Sequence, residues 1–334
     1  MAATWITPIE VTPGTAVTWI DVDVSASVPA GATGVILHVA NTYTSARAFG
    51  ARKNGSTDAR TQIHLQDHFW AVIGVDANRI FECYVQNTIQ QDVYLVGYFT
   101  DDSVFFDNAI DKSLNATITW TDIDISADTG GATAIAAYFE VIKTDASRVA
   151  FGLRKNGSTD ARIGALRINN SHRWAVIGVD GSEICEGYIE TTVIDFFLVG
   201  YCMTLATLNT NAVDLSLGGI DAWTDLSALT IGATGGIIEA QNASDDSFYY
   251  GLRKNGSAED IYMLVSEHAW GLVECDINRI IEGKISNTGV DFFEIGVFLA
   301  AAAGGLSWSG AGTLTQSGAI NRQFNITRGQ SGAI

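Results

Sequence analysis

The sequence predicts an all-β protein of three tandem antiparallel β-sandwich domains, jelly-roll-like in type, with short terminal extensions. Three observations predict it. The segments Arg52-Lys53-Asn54-Gly55-Ser56, Arg154-Lys155-Asn156-Gly157-Ser158 and Arg253-Lys254-Asn255-Gly256-Ser257 are near copies, roughly 100 residues apart. Trp70 to Asp76 returns as Trp174 to Asp180 and, more loosely, as Trp270 to Asp276. Finally, the polar/apolar pattern has period two almost throughout, the mark of half-buried strands.

The repeat is too long for a solenoid coil, whose units run to about 20–50 residues, and it matches a whole small domain. Each unit opens on a Trp-x-Asp signature (Trp19/Asp21, Trp120/Asp122, Trp223/Asp225) and closes near Tyr98, Tyr201 or Val297. The expected division is therefore an N-terminal arm at 1–15, repeats at 16–104, 114–206 and 218–300, and a C-terminal extension at 301–334. Thr100 to Ser113 and Leu205 to Gly219 read as short links that keep the domains in touch.

Within each unit, Asn-Gly predicts a tight hairpin turn of type I′, because both residues accept positive φ at low cost. Phe49 to Lys53 would enter the first hairpin and Ser56 to Ile63 would leave it. His68-Phe69-Trp70, His172-Arg173-Trp174 and His268-Ala269-Trp270 each lead into an apolar strand, followed by a strand carrying Glu82, Glu186 or Glu282. About seven or eight strands per unit fit a sandwich. An immunoglobulin-like order is the rival, but its Cys-Trp-Cys spacing is absent.

Composition narrows the function. With 47% hydrophobic and 17% charged residues the chain can fill three cores. No stretch reaches the ~18 uninterrupted apolar residues of a membrane helix, and no secretory leader pattern opens the sequence. A net charge of −18 argues against nucleic acid as a partner. The four cysteines take positions where the other copies carry small or apolar residues, which reads as buried thiols made in a reducing cytoplasm.

The candidate positions are structural or contact residues. His68, His172 and His268, beside Trp70, Trp174 and Trp270, offer one histidine per unit where a metal needs several converging ligands, so the plainer reading is a histidine bonded to a loop carbonyl beside a buried tryptophan. Arg52, Arg154 and Arg253 recur with Glu82, Glu186 and Glu282 and read as strand-pinning ion pairs. The neighbouring lysines read as solvated hairpin flanks, with contact to a neighbouring domain as the other possibility. Asn54, Asn156 and Asn255 sit in glycosylation sequons that the turn already explains. No catalytic motif appears, and no catalytic, cofactor-binding or metal-binding residue is assigned.

The Arg-Lys-Asn-Gly-Ser, His-x-Trp and Asp-Phe-Phe-Leu-Val-Gly-Tyr segments together resemble poorly characterised repeat proteins of tailed bacteriophages and related viruses, across roughly Trp19 to Leu299. That resemblance implies a non-enzymatic virion structural protein: a capsid decoration, fibre or tail-associated component, made in the host cytoplasm and located in the virion. Its partners would be other virion proteins and copies of itself, without nucleic acid, membrane or cofactor. Strand addition by the C-terminal segment, with Met1 to Thr15, is one way such copies would join. The alternative is a carbohydrate-binding adhesin module that presents the aromatic residues of each repeat to a host-surface glycan.

Overall fold

A computed structural model describes residues 3–166, 170–242, 246–264, 268–300, 306–309 and 313–316. Each repeat contributes eight strands. The first has β1 (Thr4–Glu10), β2 (Trp19–Asp23), β3 (Gly34–Asn41), β4 (Arg47–Lys53), β5 (Gln62–His64), β6 (His68–Gly74), β7 (Ile80–Val85) and β8 (Gln91–Phe99). The second has β9 (Ser103–Asp111), β10 (Trp120–Asp124), β11 (Ala136–Lys143), β12 (Val149–Lys155), β13 (Gly164–Leu166), β14 (His172–Gly178), β15 (Ile184–Ile189) and β16 (Ile194–Cys202). The third has β17 (Ala206–Asp214), β18 (Thr224–Asp225), β19 (Ala233–Asn242), β20 (Tyr249–Lys254), β21 (Met263–Leu264), β22 (His268–Glu274), β23 (Ile281–Ile285) and β24 (Val290–Leu299).

These strands form six small four-stranded antiparallel sheets among the described residues, two from each repeat. In the first repeat the orders are β1-β8-β3-β6 and β2-β7-β4-β5, and the other two repeats follow the same scheme. Most chain-successive strands thus lie in different sheets, unlike a blade built from four consecutive strands. The strands β7 and β8 alternate buried and half-buried residues, whereas β3 and β6 are buried along their whole length. Alternation marks a sheet face open to solvent, and continuous burial marks a strand covered on both sides. What covers β3, β6 and their counterparts is the neighbouring repeat.

The expectation of three tandem jelly-roll-like β-sandwich domains, each a unit of its own behind a short link, is corrected on this point. Met1–Ala300 forms one compact unit, and its buried residues make one continuous apolar cluster. The arrangement is a propeller-like ring of six four-stranded sheets, in which β6, β14 and β22 all touch one another. The supposed links are strands: β9 and β17 occupy much of 100–113 and 205–219 and pair with β16 and β24. The supposed N-terminal arm is also part of the ring, since β1 pairs with β8. Their broken polar pattern hid them, because each carries a register irregularity partway along.

Three of these first strands make the seams. Phe105 on β9 lies over Gly34 and Gly74 of the first repeat, Leu208 on β17 lies over Gly178 of the second, and Trp5 on β1 lies over Gly235 of the third. A Cβ at Gly235 would overlap the Trp5 ring, so glycine is needed there for close approach. Trp5 also meets Phe298 edge-on at 6.1 Å between ring centroids, and with that contact the ring closes on itself.

The Asn-Gly turns differ from expectation. Only the glycines, Gly55, Gly157 and Gly256, have positive φ, at 82°, 79° and 76°, so the turn is not type I′. The Asn54, Asn156 and Asn255 amides instead donate to Asp76, Asp180 and Asp276 at 2.8, 2.7 and 3.0 Å. Ser56 to Thr61 is irregular, and the return strand β5 is only Gln62–His64. In the C-terminal extension, Leu306–Ser309 (β25) and Thr313–Gln316 (β26) pair as an antiparallel two-stranded sheet.

Trp5→Ala removes the side chain that closes the ring. A half-buried tryptophan of this kind should be worth about 2 kcal/mol, read as a lower urea midpoint at unchanged slope.

Candidate functional site

The retained residues divide between strand pairing within each repeat and the seams between repeats. Arg52, Arg154 and Arg253 donate through Nε to Glu82, Glu186 and Glu282 at 2.9, 2.9 and 2.8 Å across paired strands of one sheet. Their guanidiniums lie 4.2, 4.1 and 4.1 Å from the ring centroids of Trp19, Trp120 and Trp223. This is a stacked, pinned side chain. The lysines do more than flank a hairpin: Lys53 and Lys155 each donate across a seam, at 3.2 Å, to the carbonyls of Phe105 and Leu208. Ser56 and Ser158 likewise reach Asn108 and Asn211.

The His-x-Trp motif is a seam element too. His68, His172 and His268 are fully buried, and Trp70, Trp174 and Trp270 are 3%, 2% and 1% exposed. Those three tryptophans cannot offer a face to a glycan. Each histidine instead packs against an aromatic ring of the preceding repeat: His172 on Phe49, His268 on Phe151, and His68 on Tyr250 across the closing seam.

Sequence reading missed the charged partners that seal two of the seams. Arg60, from the first repeat, donates through Nε to Glu140 of the second at 2.7 Å and lies 4.5 Å from the Phe197 ring. Arg162, from the second, donates to Glu239 of the third at 2.8 Å and lies 4.9 Å from Phe293. Glu140 and Glu239 also bond His172 and His268. Burial opposes the charge of Arg60 and Arg162, but Glu140 and Asp58, or Glu239 and Asp160, more than offset it and raise both guanidiniums. The signal was available: Asp58-Ala59-Arg60 and Asp160-Ala161-Arg162 share one offset from the Asn-Gly turn.

At the third seam both members are replaced. Ile261 stands at the Arg60 position and His38 at the Glu140 position. The joint change is physically coherent, because a buried carboxylate without its guanidinium would cost several kcal/mol. His38 stacks on Trp70 at 4.1 Å and 4°. Its Nε2 lies 2.8 Å from Nδ1 of His68, whose Nε2 is 3.0 Å from the Tyr250 carbonyl. A carbonyl only accepts, so His68 carries its proton on Nε2 and His38 donates to its Nδ1. Burial, above all, holds both imidazoles neutral, His68 at about 4 and His38 well below its ordinary range.

The third seam is also the open one. A cavity of about 440 Å³ lies between Trp5 to Pro8 on one side and Leu252 to Ser257, Glu259 and Leu272 to Glu274 on the other. The corresponding spaces at the first and second seams hold only about 20 and 10 Å³. A second cavity of about 430 Å³ adjoins Ile261 and is lined by Tyr94, Tyr249, Tyr262, Asp92 and Asp260 among others.

The first seam has a further buried cluster in which Arg173 bonds Asp67 and donates to His64 at 3.1 Å. Burial raises the Asp67 carboxyl despite Arg173, and it lowers His64 and His172. No group of three or more His, Cys, Asp or Glu side chains suited to a metal occurs among the described residues. All four cysteines are free and buried, and burial raises each thiol.

No family model and no curated protein matches the chain. Among solved structures, the atomic structure of Sulfolobus Turreted Icosahedral Virus is similar at 10% identity and a TM-score of 0.23, over 89% of this chain and 91% of that one. The M60 catalytic domain with the CBM51-1 and CBM51-2 domains of Clostridium perfringens ZmpB is similar at 9% identity and a TM-score of 0.19, over 85% of this chain and 33% of that one. Likenesses this distant carry no functional argument.

Two outcomes follow from the seam chemistry. Arg60→Met leaves Glu140 buried without its guanidinium and should cost about 3 kcal/mol, whereas Ile261→Met at the matching position should cost under about 1.5 kcal/mol, both read by urea denaturation. The neutral histidines make stability fall with acid. A His68 pKa of about 4 when folded against 6.5 when unfolded leaves stability whole above pH 6.5 and removes up to about 3 kcal/mol as pH falls toward 4. His68→Gln should flatten that part of the pH profile.

Proposed function

We propose that this protein is a non-enzymatic structural component of a virus particle, a capsid decoration, fibre or tail-associated element. The observation that supports the reading is where the repeated and seam-crossing residues go. Arg60, Arg162, His68, His172, His268 and the three tryptophans are used up in holding three repeats around one axis. A chain whose repeated side chains build seams is suited to presenting a rigid surface, and a threefold ring encoded in one chain fits positions of like symmetry in an assembly.

Partners on this reading are other particle proteins and further copies of the chain. The N-terminal strand is not free for them, since β1 is committed to its own ring. The extension 301–334 is the remaining candidate for strand addition.

A second reading, carbohydrate binding, rests on aromatic residues that stay half-buried, Tyr94, Tyr249 and Tyr262 of the open seam. Tyrosines beside carboxylates can stack on and bond to a sugar.

The test is electron microscopy and native mass of the full chain beside a chain truncated at Gly304. The assembly reading expects ordered multimers from the first and single rings from the second. Single rings from both, at every concentration and in the presence of particle proteins, contradict it.

A further inference from the structure

We propose that the third seam is a binding site for an organic cation of the guanidinium type, which enters from outside and takes the place that Arg60 and Arg162 fill at the other two seams. This inference goes beyond the assembly role and does not depend on it.

The chain itself supplies the precedent. At the first two seams a guanidinium crosses between repeats and lies over an aromatic ring on the strand that also holds a conserved-in-place aspartate, Asp195 or Asp291. At the third seam the ring and the aspartate remain, as Tyr94 and Asp92, and the arginine is gone. Ile261 is too short to bridge. A cavity of about 430 Å³ stands beside it, enough for a small organic ligand or a single side chain.

The accompanying replacements run in one direction. Ala59 and Ala161 become Asp260, Phe197 and Phe293 become Tyr94, and Thr61 and Ile163 become Tyr262. Tyr94, Tyr249, Tyr262, Asp92 and Asp260 all line the cavity, and no lysine or arginine does so among the described residues. Aromatic faces beside carboxylates attract cations and repel anions. Lys284 already uses this chemistry at the rim, with Nζ 4.3 Å from the Tyr262 centroid and 3.6 Å from Asp260, which leaves Asp92 as the principal carboxylate for the ligand. Burial and the neighbouring Glu10 raise the Asp92 carboxyl, and a cation beside it would relieve that crowding. His38 does not line this cavity, so the ligand does not need to enter the buried histidine pair.

Guanidinium can arrive as a free small molecule or as an arginine side chain of another protein. The test is calorimetric titration of the full chain with arginine amide, with the uncharged isostere citrulline amide, and with the peptide Gly-Gly-Arg-Gly-Gly. The site predicts that arginine amide binds at least about tenfold tighter than citrulline amide, since a cation–π contact and a charged hydrogen bond together carry at least that factor. Tighter binding of the peptide assigns the natural source to a protein, and tighter binding of the amide assigns it to a small molecule. Asp92→Asn should weaken arginine amide about fivefold or more with an unchanged melting midpoint. Ile261→Arg should abolish binding, because it restores the side chain found at the other seams. Equal binding of the two amides, binding that survives in folded Ile261→Arg, preference for a neutral hexose, or no heat with arginine amide up to about 10 mM would each overturn the proposal.

Discussion

Each repeat of this protein builds a sheet with two strands buried on both faces, and the first strand of the next repeat is part of what covers them. That requirement drives the rest of the architecture. Successive residues point to opposite faces, and a lone copy of β3 and β6 would leave the face carrying Ile36, Trp70 and Val72 open to water, although all three are buried in the ring. At about 25 cal/mol per Å² of apolar surface, such exposure is not sustainable by one small repeat. At the third repeat the cover comes from the first strand of the first. Trp5, over Gly235 and against Phe298, provides it.

Closure also explains why the seams are chemically unequal. Two are crossed by arginines that meet buried carboxylates, and these pairs are internally complete: Glu140 accepts from Arg60 and contacts His172, while Glu239 accepts from Arg162 and contacts His268. Removing one member alone would strand a charge in the interior. The third seam departs from the scheme in both members at once, with Ile261 and His38, and a neutral chain runs there from His38 to His68 to the Tyr250 carbonyl. Seam sealing is thereby exchanged for open volume at a single position of the ring. Threefold repetition makes the body, and its local breakdown creates a site.

Much of this was legible in the residues. The repeat, the all-β character, the Arg–Glu partners and the burial of thiols all rest on local patterns that survive in three copies. The ring was not legible, because its determinants are contacts between residues a whole repeat apart. Thr4 to Glu10, Ser103 to Asp111 and Ala206 to Asp214 looked like arms and links since their alternation breaks at irregularities in register. The seam arginines were overlooked for a related reason: Arg60 aligns with Arg162 but with Ile261 in the third copy, and a search for what all three share discards it. The site lies where the copies differ.

The claim on which the account rests is that residues 1–300 form one closed body and not three separate ones. Equilibrium unfolding in urea, followed together by tryptophan fluorescence and far-ultraviolet circular dichroism, tests it most directly. A closed ring predicts one coincident transition with a slope set by the surface of the whole body. Three resolved transitions, or probes that fail to coincide because individual repeats melt alone, would contradict it.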